Sequence, residues 1–88
     1  MEIRLDVRDL PPPEPMQQVL DRLPELAPGD LLRMLHRRDP YPLYPILKDM
    51  GFAHTVRHRL EVPFEILIWR ADGPVPDAVR NEQPGAGS

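Results

Sequence analysis

The sequence predicts an α+β fold, a two-layer α/β sandwich with the order β-α-β-α-β-β and two helices on one face of a four-stranded mixed sheet. Four segments alternate polar and apolar residues, as half-buried strands do. Two segments between them carry apolar residues at the i, i+3, i+4, i+7 spacing of a helix. The short join between the last two strand-like segments favours an antiparallel hairpin. Because strand–helix–strand crossovers are right-handed, both helices should lie on the same face.

The first strand is predicted over residues 2–7, where Ile3, Leu5 and Val7 alternate with polar side chains. A loop over residues 8–13 follows. Its consecutive prolines fix φ and favour extended geometry in each preceding residue, so we expect this loop to be rigid.

The first helix is predicted to start near Pro15, since a proline in the first turn loses no hydrogen bond. Its apolar face carries Met16, Val19, Leu20 and Leu23, and the proline after Leu23 ends it.

The second strand is predicted over Leu31–His36, with Leu32 and Met34 facing inward and Arg33 outward. The second helix is predicted over residues 42–50. Its apolar positions are again at helical spacing, and the glycine that follows accepts a left-handed conformation.

The third strand is predicted over residues 52–60 and the fourth over residues 62–70. In the fourth strand, Phe64, Ile66 and Ile68 face the helices, and Leu67 and Trp69 face the other way. We expect a single domain over residues 1–70. Residues 71–88 are rich in proline and glycine with little to bury, so the sequence predicts a disordered tail.

Composition excludes several functions. The chain has 88 residues, a formal net charge of −3 and no cysteine. The charge makes nucleic-acid binding an unfavoured function. The missing cysteine removes disulfides, thiolate ligands and thiol nucleophiles. No apolar run approaches the roughly 20 residues of a membrane span, and the first residues do not resemble a signal peptide. We therefore expect a cytoplasmic protein without membrane contact.

The loop between the first strand and the first helix carries a family resemblance. The segment Leu5-Asp6-Val7-Arg8-Asp9-Leu10 running into Pro12-Pro13-Glu14-Pro15 resembles the TusA/SirA-like sulfur-carrier superfamily, whose members have a Cys-Pro-x-Pro motif here. With residues 36–45, His-Arg-Arg-Asp-Pro-Tyr-Pro-Leu-Tyr-Pro, the chain resembles the DUF2249 family over roughly residues 3–70. The resemblance implies the TusA-like fold. Fusions of relatives to hemerythrin-like domains point to iron or nitrogen-oxide chemistry.

Pro12 stands where the superfamily has its cysteine. Persulfide carriage needs a thiolate nucleophile, and this chain has none. Sulfur transfer through a persulfide is therefore excluded on chemical grounds.

The carboxyl ends of parallel strands form the usual ligand site of open α/β sheets. If the first two strands are parallel, a set of rim residues lies along one edge. The candidate ligand- or partner-binding residues are Arg8, Asp9, Pro12, Pro13, Glu14, His36, Arg37, Arg38, Asp39 and Tyr41. Tyr44 either joins this rim or packs the second helix.

His36 is the first choice for chemistry, because a neutral imidazole can ligate a metal or haem or move a proton near pH 7. The structural interpretation is a strand-end histidine that bonds the backbone. Asp39, Glu14 and Asp9 could supply carboxylates beside it, although charges at a helix start also cap it. Arg37 with Arg38 could hold a phosphate or an acidic partner, or could be plain solvated charge.

Two further groups of residues are candidates for a metal site or an interaction surface. His54 and His58 have HxxxH spacing, but on a strand they are about 13 Å apart, too far for one ion. Arg33, Arg57 and Arg59 could lie with Leu67 and Trp69 on the open sheet face, which would suit a protein interface or homodimer. We take Arg57, Arg59, Leu67 and Trp69 as the candidate open-face interaction residues.

Three function classes remain. The preferred one is a small non-enzymatic binding or adaptor module with a protein partner, using the rigid loop. The alternative is a metal- or haem-linked redox accessory protein using His36; no cofactor is specified by the sequence. The third is an enzyme that uses His36 with Asp39 or Glu14 as an acid–base pair.

Overall fold

The computed structural model describes residues 1–81, with the backbone alone described at Asn81. The elements are β1 (Glu2–Asp6), α1 (Glu14–Arg22) with a 3-10 turn (Leu23–Glu25), β2 (Leu31–His36), α2 (Leu43–Asp49), β3 (Phe52–Arg57), β4 (Phe64–Arg70) and α3 (Asp77–Asn81). The predicted α+β fold with a four-stranded mixed sheet is confirmed, and α3 is an additional element.

The sheet has the order β1-β2-β4-β3. β1 pairs with β2 in parallel, and β4 pairs with both β2 and β3 in antiparallel. Leu5 lies beside Met34, and Met34 beside Ile66, so the inward-facing side chains of three strands are aligned. The predicted hairpin of the last two strands is therefore confirmed. Because β1 and β2 are parallel, their carboxyl ends lie at the same end of the sheet.

The main core lies between α1, α2 and one sheet face. α1 contributes Val19, and α2 contributes Leu43 and Leu47; none of the three is exposed to solvent. They pack in the same cluster as the inward-facing residues of the strands. A side chain of this size contributes about 1.5–3 kcal/mol when it is fully buried.

Two element ends differ from the predictions. β3 ends at Arg57 and not at Leu60 as predicted, and Leu60 is fully exposed at 105%. If β3 continued, Arg59 would lie opposite Pro63. Because proline has no backbone N–H to donate to the neighbouring strand, the pairing ends at Arg57 and Glu65. α2 ends at Asp49, one residue before the predicted end, and Met50 is 49% exposed.

The predicted disorder of the tail does not hold for residues 71–81. They form a turn and α3, which lies on the sheet face opposite the other two helices. Ala78 and Val79 pack there against Leu31, Leu67 and Trp69. These contacts give a short segment with few apolar residues a surface to bury against. Residues 82–88 of that predicted tail lie outside the described residues.

None of the helices in residues 1–81 combines the length and apolar composition needed to cross a membrane.

Candidate functional site

The loops that follow β1 and β2 meet at one rim of the sheet, as the parallel pairing requires. The N–H of Val7 donates to the carbonyl of Leu35 at 3.0 Å and continues the ladder into the first loop. Further out, Arg37 Nη2 donates to Asp9 Oδ1 at 3.0 Å and joins the two loops through their side chains. The predicted rim therefore exists as a continuous surface.

The proline loop holds its own backbone in place. The N–H of Glu14 donates to the carbonyl of Pro11 at 3.0 Å, and that of Gln17 donates to the carbonyl of Pro13 at 3.2 Å. The Pro12–Pro13 peptide bond is cis. Because prolines have no N–H and these carbonyls are already bonded, the loop presents side chains and ring surfaces to a partner.

An apolar depression, here called the proline groove, lies between the start of α1 and the start of α2. Prolines and large apolar side chains form most of its wall. The lining residues are Pro12, Pro13, Pro15, Met16, Met34, His36, Arg38, Asp39, Pro40, Tyr41 and Pro42. The ring of Tyr41 is 72% exposed at its mouth.

A polar depression, here called the arginine cleft, adjoins the groove and shares Pro12, His36 and Arg38 with it. Its lining residues are Arg8, Asp9, Leu10, Pro11, Pro12, His36, Arg37 and Arg38. Nine of the ten predicted rim residues thus line one depression or the other. Glu14 lines neither and is an exposed residue in the first turn of α1, where its charge complements the helix dipole.

Two of the three arginines in the arginine cleft are engaged by aspartates. Arg8 binds Asp6 through Nε at 2.8 Å and Nη2 at 2.7 Å, and these bonds lower the pKa of Asp6 to about 2. Arg37 pairs with Asp9, but both side chains are mostly exposed, so this pair adds little stability. Within residues 1–81, Arg38 makes no hydrogen bond or ion pair. Arg38 is therefore the cation that the rim leaves available.

His36 has a defined hydrogen-bond partner. The backbone N–H of Arg37 donates to its Nδ1 at 2.9 Å. Partial burial and the nearby charge of Arg38 lower the pKa of the ring, so it is neutral at pH 7. A neutral imidazole that accepts at Nδ1 carries its proton on Nε2. His36 thus offers one N–H donor at the junction of the groove and the cleft.

Asp39 and Tyr44 form a second polar unit beside the groove. The hydroxyl of Tyr44 donates to Asp39 Oδ1 at 2.6 Å. Burial, this hydrogen bond and the carboxylate charge raise the pKa of the Tyr44 phenol. The ring of Tyr44 stacks on His54, with centroids 4.3 Å apart and planes 9° apart. Asp39 therefore bonds Tyr44, and Tyr44 connects the start of α2 to β3.

The predicted open-face residues are largely used inside the molecule. Leu67 and Trp69 lie under α3, exposed by 0% and 9%. Arg57 is 5% exposed and donates to the carbonyls of Ala78 and Val79 at the end of α3. These three residues hold the chain's own helix, so they are not an exposed interaction surface as predicted.

Arg59 belongs to a row of charged side chains on the same sheet face as α3, here called the charged row. Its Nε donates to Glu65 Oε1 at 2.9 Å, and Arg33 Nη1 donates to Oε2 of the same carboxylate at 3.2 Å. Arg33 also bonds Glu2 from β1. Glu65 is only 4% exposed, so this row is a buried structural network with one exposed arm at Arg59.

The two other histidines have separate surroundings. His54 stacks on Tyr44, whereas Nδ1 of His58 lies 3.0 Å from the carbonyl oxygen of Pro63 and its ring meets the edge of Phe64. Within residues 1–81, no group of three or more His, Asp or Glu side chains is arranged to hold a metal ion.

Several groove residues were not predicted as site residues. Met16 and Met34 were assigned to the core from their helical and strand spacing, and they also floor the groove. Pro40, in the loop after β2, and Pro42, the residue before α2, line it as well. The density of prolines on both loops was the signal that could have identified this wall.

Comparison with known proteins supports one assignment. Neither the curated proteins nor the solved structures gave a match. The family model described as "Uncharacterized conserved protein (DUF2249)" matches residues 4–70, which run from within β1 to the end of β4 and include both loops of the rim. The chain therefore belongs to the DUF2249 family.

Proposed function

We propose that this chain is a small non-enzymatic binding module whose rim docks a partner protein. The observation that carries the proposal is the proline groove, an apolar depression lined by the exposed Tyr41 and by Arg38, whose side chain has no ion-pair partner within residues 1–81. An exposed apolar depression with a few polar groups at its border is typical of binding sites.

Preorganisation supports this function. The carbonyls of Pro11, Pro13 and Pro40 each accept a hydrogen bond from a backbone N–H within three or four residues along the chain. A partner would therefore meet a surface that is already ordered, so little conformational entropy would be lost on docking.

An acid–base enzyme is less well supported. His36 could still donate from Nε2, but Asp39 bonds Tyr44 and Glu14 lies outside both depressions. The TusA/SirA-like resemblance suggests a shared fold but not sulfur carriage, because the chain has no cysteine. Incubation with a persulfide donor should leave its mass unchanged; a stable gain of one sulfur atom would contradict this.

A metal- or haem-linked accessory role of His36 is the alternative. The ring as placed does not fit it well, because ligation through Nε2 would move the proton to Nδ1, where it would oppose the N–H of Arg37. Titration of ¹⁵N-labelled protein with Zn²⁺ tests this role. Shifts centred on His36 that disappear in His36→Gln would favour the alternative.

A cytoplasmic location stays a prediction of the sequence.

Site-specific photo-crosslinking tests the proposed docking. A benzophenone amino acid replaces Tyr41 at the groove mouth, and a control chain carries it at Met50, at the opposite end of α2. We expect a discrete protein adduct from position 41 alone, identified by mass spectrometry and then reproduced with the purified partner. Equal adducts from both positions, or none from position 41, would overturn the proposal.

A further inference from the structure

The two edges of the sheet differ in character. β1 forms one edge, and its outward-facing side chains Glu2, Arg4 and Asp6 are charged. Charged side chains on an edge strand discourage pairing with another chain. β3 forms the other edge and pairs only with β4 within residues 1–81.

Within the described residues 1–81, most of the β3 edge lacks the usual protection of an edge strand. Residues 52–56 read Phe-Ala-His-Thr-Val, with no proline and no side chain that is charged at pH 7, because burial lowers the pKa of His54. The strand has no bulge, since its six residues pair one for one with β4. α3 packs on the sheet face against Leu67 and Trp69, and it contacts β3 from that face through Ala53 and through the hydrogen bonds of Arg57. β3 therefore presents a regular row of backbone donors and acceptors.

We propose that β3 pairs in antiparallel with β3 of a second copy of this chain, joining the two sheets into one. A two-fold axis through His54 places Ala53 opposite Thr55 of the second copy, and Phe52 opposite Val56. In each pair both residues lie on the same sheet face, since side chains alternate along a strand. Arg57 falls opposite Gly51 of the second copy, so no like charges are directly opposed.

Self-pairing also fits better than pairing of β3 with β1 of another copy. The latter would place β3, whose residues 52–56 are uncharged, beside the charged β1 and leave an unpaired edge at each end, which extends into a filament. Pairing of β3 with itself closes at two copies and leaves only the charged β1 edges outside.

Sedimentation velocity of the full chain over a range of concentrations tests the proposal. We expect a concentration-dependent species with twice the 10.1 kDa chain mass. Thr55→Lys should weaken the dimer by at least about tenfold, because it places a charge at the centre of the edge. Gln17→Lys makes the same charge change on the exposed face of α1 and should have no effect. Circular dichroism of each variant monitors folding.

A charge-swap experiment separates a contact at the edge from a general loss of folding. In the proposed register, the two Thr55 side chains are diagonal neighbours, within reach of long side chains. Mixing Thr55→Lys with Thr55→Glu should therefore restore a mixed dimer. A monomer at every concentration, or a dimer that Thr55→Lys does not weaken, would overturn the proposal. This result is independent of the rim, so crosslinking from position 41 should be unchanged in Thr55→Lys.

Discussion

Replacement of Glu65 by glutamine is a direct test of the charged row on the second sheet face. Glu65 lies on the central strand β4, is 4% exposed, and accepts hydrogen bonds from Arg33 and Arg59. The change keeps the shape of the side chain but removes the negative charge. It takes the buried carboxylate away from the guanidinium of Arg33, itself about nine-tenths buried, while the half-exposed Glu2 remains in place.

The expected loss is large for a domain of this size. Removing one partner of a buried ion pair costs about 3–5 kcal/mol. At roughly 0.05–0.15 kcal/mol per residue, a chain of this length has about 4–13 kcal/mol in total. A loss of about 3 kcal/mol corresponds to a fall in Tm of roughly 12–24 °C. If the total stability is near the lower end of this range, Glu65→Gln should be only marginally folded at room temperature. If it is higher, Glu65→Gln should remain folded but unfold at a clearly lower urea concentration.

Urea and thermal unfolding, followed by circular dichroism, measure the free energy of unfolding. Arg59→Gln is the matched control, because it removes the partly exposed arm of the same network. Its loss should be no more than about 1 kcal/mol. The double change Arg33→Met with Glu65→Leu removes both buried charges, and we expect it to recover much of the stability that Glu65→Gln loses.

The reasoning is refuted if Glu65→Gln loses no more stability than Arg59→Gln. The carboxylate would then behave as a solvated group, despite its low exposure in the structure. A double variant less stable than Glu65→Gln would show instead that the network contributes more than apolar packing can replace.

Three further predictions follow from individual contacts. Arg57→Leu removes the hydrogen bonds that hold α3, so the emission of Trp69, the single tryptophan, should shift to longer wavelength; unchanged emission would show that other contacts hold the helix. Because the folded state raises the pKa of the Tyr44 phenol, stability present below about pH 10 should be lost as the pH rises above it. Tyr44→Phe should lack this alkaline loss in urea unfolding, and an identical loss would contradict the assignment. The lowered pKa of His36 predicts an NMR titration midpoint below about 6.5, and a stability that falls as the pH drops below that value, since the unfolded chain protonates first; a higher midpoint would contradict it.

The rim shows which features of the site can be predicted from local sequence patterns. Proline spacing and the order of strands and helices were enough to bring Arg8, His36 and Tyr41 to one edge, because parallel strands end together. The pattern could not show that Arg37 pairs with Asp9 while Arg38 stays free. Adjacent residues in a loop point in different directions, and their partners come from the other loop.

The second sheet face was the least predictable part. The alternation of polar and apolar residues correctly predicted that Leu67 and Trp69 lie on the sheet face opposite the main core. It did not predict that α3 covers this face. Residues 77–81 have weak helical pattern of their own, and their place depends on Arg57 and on the apolar surface beneath them. Such contacts join residues that are distant in sequence, so local periodicity does not report them.

By itself, the sequence determined the order of the elements over residues 2–70, the side of each strand that faces the helices, and the lack of a cysteine for thiol chemistry. Each of these depends on residue type or on spacing within a few positions. The tertiary structure alone decided which charges are paired, that Glu65 is buried between arginines, and that α3 covers Trp69. These depend on distances between segments far apart in the chain, and only the folded arrangement sets those distances.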